Sequence, residues 1–349
     1  MNILHKTIMT LAVMLALAVD AAGADWIARI DDGRRVCRLS IPGTHDAATG
    51  EAFVAADTLL GNRIARTQEL TLGQQWAAGI RAFDLRPDVM TDSLGRQSLH
   101  IYHGEFATRV SFADVMQLLR DSLAAHPSEF AVIVMRHESS PRRESSHWQE
   151  MMDYQLALNS DLLVDFRPDI TVGQLRGRIL LLSRDTYNQL PRGGYISGWR
   201  HDADIDWHRP ATIRGCAREG HLVVQDFYDM SGEGGMAAKL SAIERLFRLT
   251  RDKAALAADP DTWFINHTSG YLYTTSEYGP EPVSTTEGYR ANAAETNRRL
   301  ISLINSRESR LKPTTTGIVM MDFGGADRSG GRDVMGATLV GAIIESNFR

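Results

Sequence analysis

Gly79-Ile80-Arg81-Ala82-Phe83-Asp84-Leu85-Arg86 is a short, mostly apolar run that closes on a charged side chain. The pattern recurs along the chain. Residues 38–41 lead to His45 and Asp46, 99–102 to His103, 130–135 to Arg136 and Glu138, and 179–182 to Arg184. Further on, 222–225 lead to Asp226 and Tyr228, 263–265 to Asn266, and 318–321 to Asp322. Near-continuous apolar runs of this length suit strands buried on both faces, as in a parallel sheet. Helical patterns lie between several of them. Ser111-Phe112-Ala113-Asp114 reads as a capping box opening a helix, and 148–163, 237–256, 291–304 and 334–344 repeat apolar residues at helical spacing. Eight strands with intervening helices predict an α/β chain folded as a distorted (β/α)8 TIM barrel in a single domain. The distortion is expected between Arg86 and Leu99. That stretch holds the turn formers Asp92, Ser93 and Gly95 and is too short for a helical crossover, so a helix is missing there. A doubly wound sheet is the runner-up. It would want a glycine-rich phosphate turn after the first strand, which Gly43 alone does not supply.

The bulk numbers narrow the partners. The chain has 349 residues, a formal net charge of -5 and no long basic run, which argues against nucleic acid. Lys6, an apolar stretch over 8–19 and Ala22-Gly23-Ala24 form a secretory signal peptide pattern, too short to span a bilayer comfortably. The expected organisation is a signal peptide at 1–24 and one catalytic domain at 25–349, in a protein that is secreted, periplasmic or extracellular. Cys37 and Cys216 are too few for a metal cluster or a disulfide scaffold, and both read as unpaired packing residues.

The residues that end the strands carry the chemistry. Metal-free cleavage of a phosphodiester needs a base, an acid and a fixed positive charge. His45, His103 and Arg86 are of those types. Asp322 ends the last strand, which adjoins the first in a closed barrel, so it is placed to orient His45 and fix its tautomer. Asp46 is then free to pair with His103. Asp84, Glu138 and Asp46 form an oxygen set that would suit a divalent cation. Arg86 puts a permanent cation among them and takes that role, so neither a metal nor another cofactor is expected. Arg136, Arg184 and Asp226 ring the mouth with the donors and acceptors a polyol needs. Tyr228, two residues past Asp226, lies on the same side of an extended chain, where it stacks on the apolar face of a ring. Asp322-Phe323-Gly324 lacks the other kinase motifs, and Asn266-His267-Thr268 is a glycosylation sequon at a strand end.

Ser40-Ile41-Pro42-Gly43-Thr44-His45-Asp46, the run 79–86, Tyr102-His103-Gly104, Pro127-Ser128-Glu129, Arg176-Gly177-Arg178-Ile179 and Val224-Gln225-Asp226-Phe227-Tyr228 follow in an order and spacing that resemble the bacterial phosphatidylinositol-specific phospholipase C family over roughly 38–322. The resemblance implies a distorted barrel that cleaves phosphatidylinositol, or its glycosylated anchor forms, to diacylglycerol and inositol 1,2-cyclic phosphate. Carried over by position, His45 is the general base, partnered by Asp322, and His103 the general acid, partnered by Asp46. Arg86 holds the phosphate, Arg184 and Asp226 hold inositol hydroxyls, and Tyr228 is the stacking ring. The family commonly has lysine where Arg136 stands, which keeps the charge and changes the geometry. Calcium-dependent relatives carry an acid at the position of Arg86, so no calcium requirement is implied. The partner is a membrane phospholipid, met by a monomer through transient surface contact. Ile196, Trp199 and Trp207, in a stretch read as loop, are candidates for that contact. Two other functions are carried forward: a metal-dependent glycerophosphodiester or sphingolipid phosphodiesterase on the same barrel, and a non-catalytic barrel that binds inositol or glycan.

Overall fold

Every residue of Ser40–Thr44, Ala82–Leu85, Ala131–Met135, Ile179–Ser183, Trp263–His267 and Gly317–Met321 is buried, which is why these runs are mostly apolar. The computed structural model describes residues 25–185, 193–230, 235–272, 284–311 and 315–349. The signal peptide read at 1–24 lies outside them. In chain order the strands are β1 (Ser40–Thr44), β2 (Ala82–Leu85), β3 (Pro87–Thr91), β4 (Gln97–His103), β5 (Phe106–Ser111), β6 (Ala131–Met135) and β7 (Ile179–Ser183). They continue with β8 (Gly194–Ser197), β9 (Ala211–Arg214), β10 (Glu219–Gln225), β11 (Trp263–His267) and β12 (Gly317–Met321).

The expected barrel is present as one closed sheet in the order β1-β12-β11-β10-β9-β8-β7-β6-β2. Its staves differ from the expected eight in two places. β8 and β9 are additional, and β9 runs antiparallel to both its neighbours. Each is four residues long with only alternate positions buried, a pattern that a search for apolar runs passes over. The run ending at His103 is not a stave. β4 pairs antiparallel with β3 and β5 in a separate three-stranded sheet, and its alternating burial marks a half-covered strand. The tight segment after Arg86 therefore lacks a helix for a different reason than a shortened crossover. β2 runs through Arg86 directly into β3, and the chain returns as a hairpin.

Helices follow the sequence closely where caps are explicit. Ser111 Oγ accepts from Asp114 N at 3.1 Å, and Asp114 Oδ2 accepts from Ser111 N at 2.9 Å, at the head of Phe112–Ala125. The 237–256 pattern divides into Gly235–Leu249 and Lys253–Ala258 because Asp252 caps a new start, accepting from Ala254 N and Ala255 N. No helix among the described residues is long and apolar enough to cross a membrane.

Several readings are corrected by packing. Ile196 is buried in β8, and Trp207 packs against Phe264 with ring centroids 5.9 Å apart, so neither is a free loop residue. Cys37 is buried and Cys216 exposed, and no disulfide joins them, so only Cys37 is a packing residue. Asn266 is buried and donates to Ile243 O, which closes the sequon to modification in the folded chain. At the lower end of β2, Arg81 and Glu129 form a fully buried ion pair, Nε to Oε2 at 2.8 Å, with the guanidinium stacked 3.9 Å from the Trp76 ring.

β1 fits between β2 and β12 only because Gly43 has no side chain. A Cβ there would lie 2.8 Å from both Ala82 Cβ and Met320 Sδ. Gly43→Ala is expected to lower stability by about 1–3 kcal/mol through overpacking, read as a lower urea midpoint. An unchanged midpoint would mean that the first and last staves have slack between them.

Candidate active site

The strands' C-terminal ends bring His45, Asp46, Arg86 and Asp322 together, and the β4 hairpin delivers His103 from outside the barrel. Two backbone features set the first group. Asp46 has φ 44° and ψ 53°, a left-handed conformation that turns its carboxylate back over the barrel mouth, and Phe323 after Asp322 also has a positive φ of 56°. Such conformations are uncommon for non-glycine residues and persist where surrounding contacts enforce them. Gln68 enforces both turns. Fully buried, it donates to His45 O at 2.7 Å and to Met321 O at 2.9 Å, and it accepts from Gly324 N at 2.9 Å.

Each histidine is fixed through Nδ1. His45 Nδ1 lies 2.9 Å from Asp322 Oδ1, and His103 Nδ1 lies 2.7 Å from Ala65 O. A carbonyl only accepts, so the His103 proton sits on Nδ1 in the neutral ring, and Nε2 is the working nitrogen. The carboxylate of Asp322 selects the same tautomer for His45. The two Nε2 atoms converge on Asp46 Oδ2, at 3.1 Å from His45 and 3.3 Å from His103, with ring centroids 6.2 Å apart. Asp46 thus touches both histidines, where the sequence argument left it to His103 alone. Its other oxygen meets Arg86 Nε at 2.9 Å. These are charge contacts and not aligned hydrogen bonds, and the Asp46 side chain has no exposed surface. Catalytic hydrogen bonds are often unaligned before substrate arrives.

Arg86 sits among acids. Its guanidinium is 3.0 Å from Asp84 Oδ2 and 3.8 Å from Glu138 Oε1, besides Asp46. Burial pulls its pKa down, but these carboxylates outweigh burial and hold it well above the usual arginine value. Asp84 is held well below the carboxylate range, with Arg86 overcoming burial. One donor atom each from His45, Asp46 and Asp84 lies within 4.8 Å of the others, a spacing that suits a metal ion. The guanidinium already pairs with two of these three residues.

The remaining candidates line the same pocket, of about 150 Å³. Arg136 is held by Glu138 at 2.6 Å. Arg184 lies with its guanidinium carbon 4.6 Å from the Trp199 ring centroid and Nη2 3.1 Å from His201 Nε2. Asp226 accepts from Trp199 Nε1 at 2.8 Å, which makes Trp199 part of the site wall and corrects its reading as a membrane-facing loop residue. Burial would raise Asp226, but His267, His201 and Trp199 together hold it well below the carboxylate range. Tyr228 is 37% exposed beside Tyr271, whose ring centroid is 5.8 Å away. A larger cavity of about 950 Å³, lined by Arg34, Phe247 and Leu303, lies at the opposite end, where the strands begin, away from these paired groups.

The sequence argument passed over His201, Tyr289, Gln68 and the site role of Trp199. Tyr289 stands in the first turn of the helix Thr286–Ile304, with its hydroxyl 3.4 Å from His103 Nε2. None of the four ends an apolar run, so none carries the signal that marked the others.

No family model matches the chain. The resemblance read from the sequence is borne out by curated relatives. A 1-phosphatidylinositol phosphodiesterase of Listeria monocytogenes is 28% identical over 170 residues, covering 46% of this chain and 48% of the relative, so this match spans about half the length of that protein. One from Staphylococcus aureus (strain Newman) is 23% identical over 336 residues, covering 93% of this chain and 94% of the relative. Among solved structures, a phosphatidylinositol-specific phospholipase C from Staphylococcus aureus superposes with a TM-score of 0.71 at 20% identity, covering 94% of this chain and 99% of that one. The Listeria monocytogenes enzyme gives 0.64 at 22% identity, covering 93% and 98%. At these identities the structures establish the fold.

Burial lowers the His45 pKa, but Asp46 and Asp322 outweigh it and hold the imidazole up at about 9. The stability this imidazolium contributes is fully present below about 6.5 and is lost as pH rises through about 9. Asp322→Asn removes one of the two carboxylates, so the His45 titration followed by NMR is expected to fall below that of the unmodified protein. A midpoint that stays put would remove Asp322 as a source of the shift.

Proposed function

We propose that this protein cleaves phosphatidylinositol, or its glycosylated anchor forms, into diacylglycerol and inositol 1,2-cyclic phosphate by acid–base catalysis. One observation carries the reading: two imidazole Nε2 atoms and a guanidinium converge on a single buried carboxylate, each within 3.3 Å. Base, acid and phosphate clamp are then held at one point with little room to drift.

In this scheme His45 Nε2 takes the proton of the inositol 2-hydroxyl, whose oxygen attacks phosphorus. Arg86 offsets the charge that grows on the phosphoryl oxygens. The bond to the diacylglycerol oxygen breaks as His103 Nε2 delivers a proton to it. The productive form therefore has His45 neutral and His103 protonated, and the acids that hold His45 up at about 9 make the neutral His45 the minority form near neutral pH. Asp46 Oδ2 lies between the two nitrogens, where it stabilises a proton on either. Arg136, Arg184 and Asp226 bind the ring hydroxyls, and Tyr228 covers the ring face. His45, Asp46, Arg86 and His103 meet within one chain, so the proposed chemistry needs no residue from a second copy, and we propose a monomer as the working state. The 1–24 pattern supports export. The cluster of His45, Asp46 and Asp84 is what favours the metal-dependent alternative.

The substrate is a lipid, so apolar groups are needed at the mouth. Leu59 and Leu60 on the short helix Thr58–Ile64 are 77% and 41% exposed, and Ala65, the next residue after that helix, supplies the carbonyl that fixes His103. We assign them the membrane contact that the sequence had placed on Ile196, Trp199 and Trp207.

Phosphorus NMR of phosphatidylinositol vesicles with excess chelator is expected to show cyclic inositol phosphate. Strict loss of turnover in chelator would favour the metal-dependent reading, and tight ligand binding without product would favour the binding barrel. His45→Ala and His103→Ala should each lower turnover by about 10²–10⁴-fold. Near wild-type turnover in either variant would overturn the assigned roles.

Replacing both leucines, as Leu59→Ser with Leu60→Ser, should reduce cleavage of vesicles several-fold and leave cleavage of a soluble short-chain phosphatidylinositol intact. Equal losses on both substrates would place the defect in the pocket and not at the lipid surface.

A further inference from the structure

His201 lies outside the motifs that marked the site, yet it stands in the pocket between two of the residues that bind the headgroup. It follows β8, and its side chain is 37% exposed. Its Nε2 is 3.1 Å from Arg184 Nη2, and its Nδ1 is 2.9 Å from Asp226 Oδ2. A guanidinium nitrogen can only donate, so Nε2 must accept. The ring proton is then on Nδ1, facing the carboxylate. The second contact is bent from hydrogen-bond alignment, as are those of Asp46. Neutral His201 thus links a donor group and an acceptor group that have no direct ion pair with one another among the described residues.

From this geometry we infer that His201 is a positioning residue for the polyol headgroup, holding Arg184 and Asp226 at the spacing of ring hydroxyls through its neutral Nδ1–H form. The inference rests on the function proposed above. Arg184 has no carboxylate partner among the described residues, and burial and Arg136 both weigh against its charge, so its direction depends on what accepts from it. Its remaining N–H groups are left for substrate.

Protonation undoes the arrangement. With a proton on Nε2, two donors would face each other at 3.1 Å, and Arg184 must turn away. The charged and titratable groups around His201 are Arg184 from the end of β7, Asp226 and Tyr228 beyond β10, and the neighbours Arg200 and Asp202. His267 at the end of β11 reaches it through Asp226, 3.6 Å from that carboxylate, and Arg136 acts on Arg184. Arg200 and Asp202 pair with each other at 2.6 Å, which leaves Arg184 and Asp226 as the groups that read the protonation state. Headgroup binding should therefore weaken on acidification.

Two substitutions separate the contacts. His201→Asn keeps a donor near the place of Nδ1 and loses Arg184. His201→Gln keeps an acceptor near the place of Nε2 and loses Asp226. On soluble short-chain phosphatidylinositol each is expected to raise KM about tenfold, the effect of one lost hydrogen bond to a charged group, with kcat within about twofold. The wild-type KM should rise on acidification, and neither variant should share that rise. Variants with wild-type KM, or with kcat reduced at constant KM, would overturn the inference. Nitrogen-15 NMR of the unmodified protein reads the tautomer without any turnover, and an Nε2–H signal for His201 would also overturn it. Failure of the wild-type protein to cleave the lipid would instead sink the proposed function, with the tautomer measurement still deciding the histidine.

Discussion

One buried carboxylate is shared by three positive or protonatable groups. Asp46 has no exposed side-chain surface, and its oxygens meet His45, His103 and Arg86 within 3.3 Å. Taking an anion out of water costs several kcal/mol, and only close opposite charge offsets it. The site depends on that balance. Without Asp46, His45 would keep Asp322 and Arg86 would keep Asp84 and Glu138, but the one carboxylate that joins both to His103 would be gone. Asp84 and Glu138 extend the balance around Arg86, so its charge is fixed and its position is set from three sides. Anchoring is supplied from below the reactive atoms. Gln68 ties the His45 turn to the Asp322 turn, and the Ala65 carbonyl fixes His103.

Much of this was legible in the order of residues, and for a physical reason. A stave buried on both faces is mostly apolar, so its end is visible where polar and charged residues gather. That is how His45, Arg86, Arg136, Arg184, Asp226 and Asp322 were found. The same rule misled at His103. The run 99–102 looks like a stave, but the strand alternates in burial and belongs to a hairpin sheet. The position was right and the route to it was not. β8 and β9 were hidden because four residues with two buried positions leave no run to see.

The missed site residues share a different cause. His201 and Trp199 follow a strand that was not recognised, Tyr289 rides on a helix, and Gln68 precedes one. Their importance comes from contacts across the chain that no local pattern records. The distance from Tyr289 to His103 is 3.4 Å in space and 186 positions in sequence. Composition offered no help either, since a lone tyrosine or glutamine is unremarked anywhere. Ile196, Trp199 and Trp207 read as candidate membrane contacts for a related reason. Tryptophans suggested an interface, while the folded chain uses them for packing and for holding Asp226, and it exposes two leucines at the mouth.

His45 and its orienting acid Asp322 stand 277 positions apart, on the two strands whose pairing closes the barrel. A chain cut short of its last stave would lack Asp322, and with it the carboxylate that fixes His45 Nδ1. The set of contacts at the strand ends is incomplete until the final stave pairs with the first. Assembly of the cluster then coincides with closure of the fold itself.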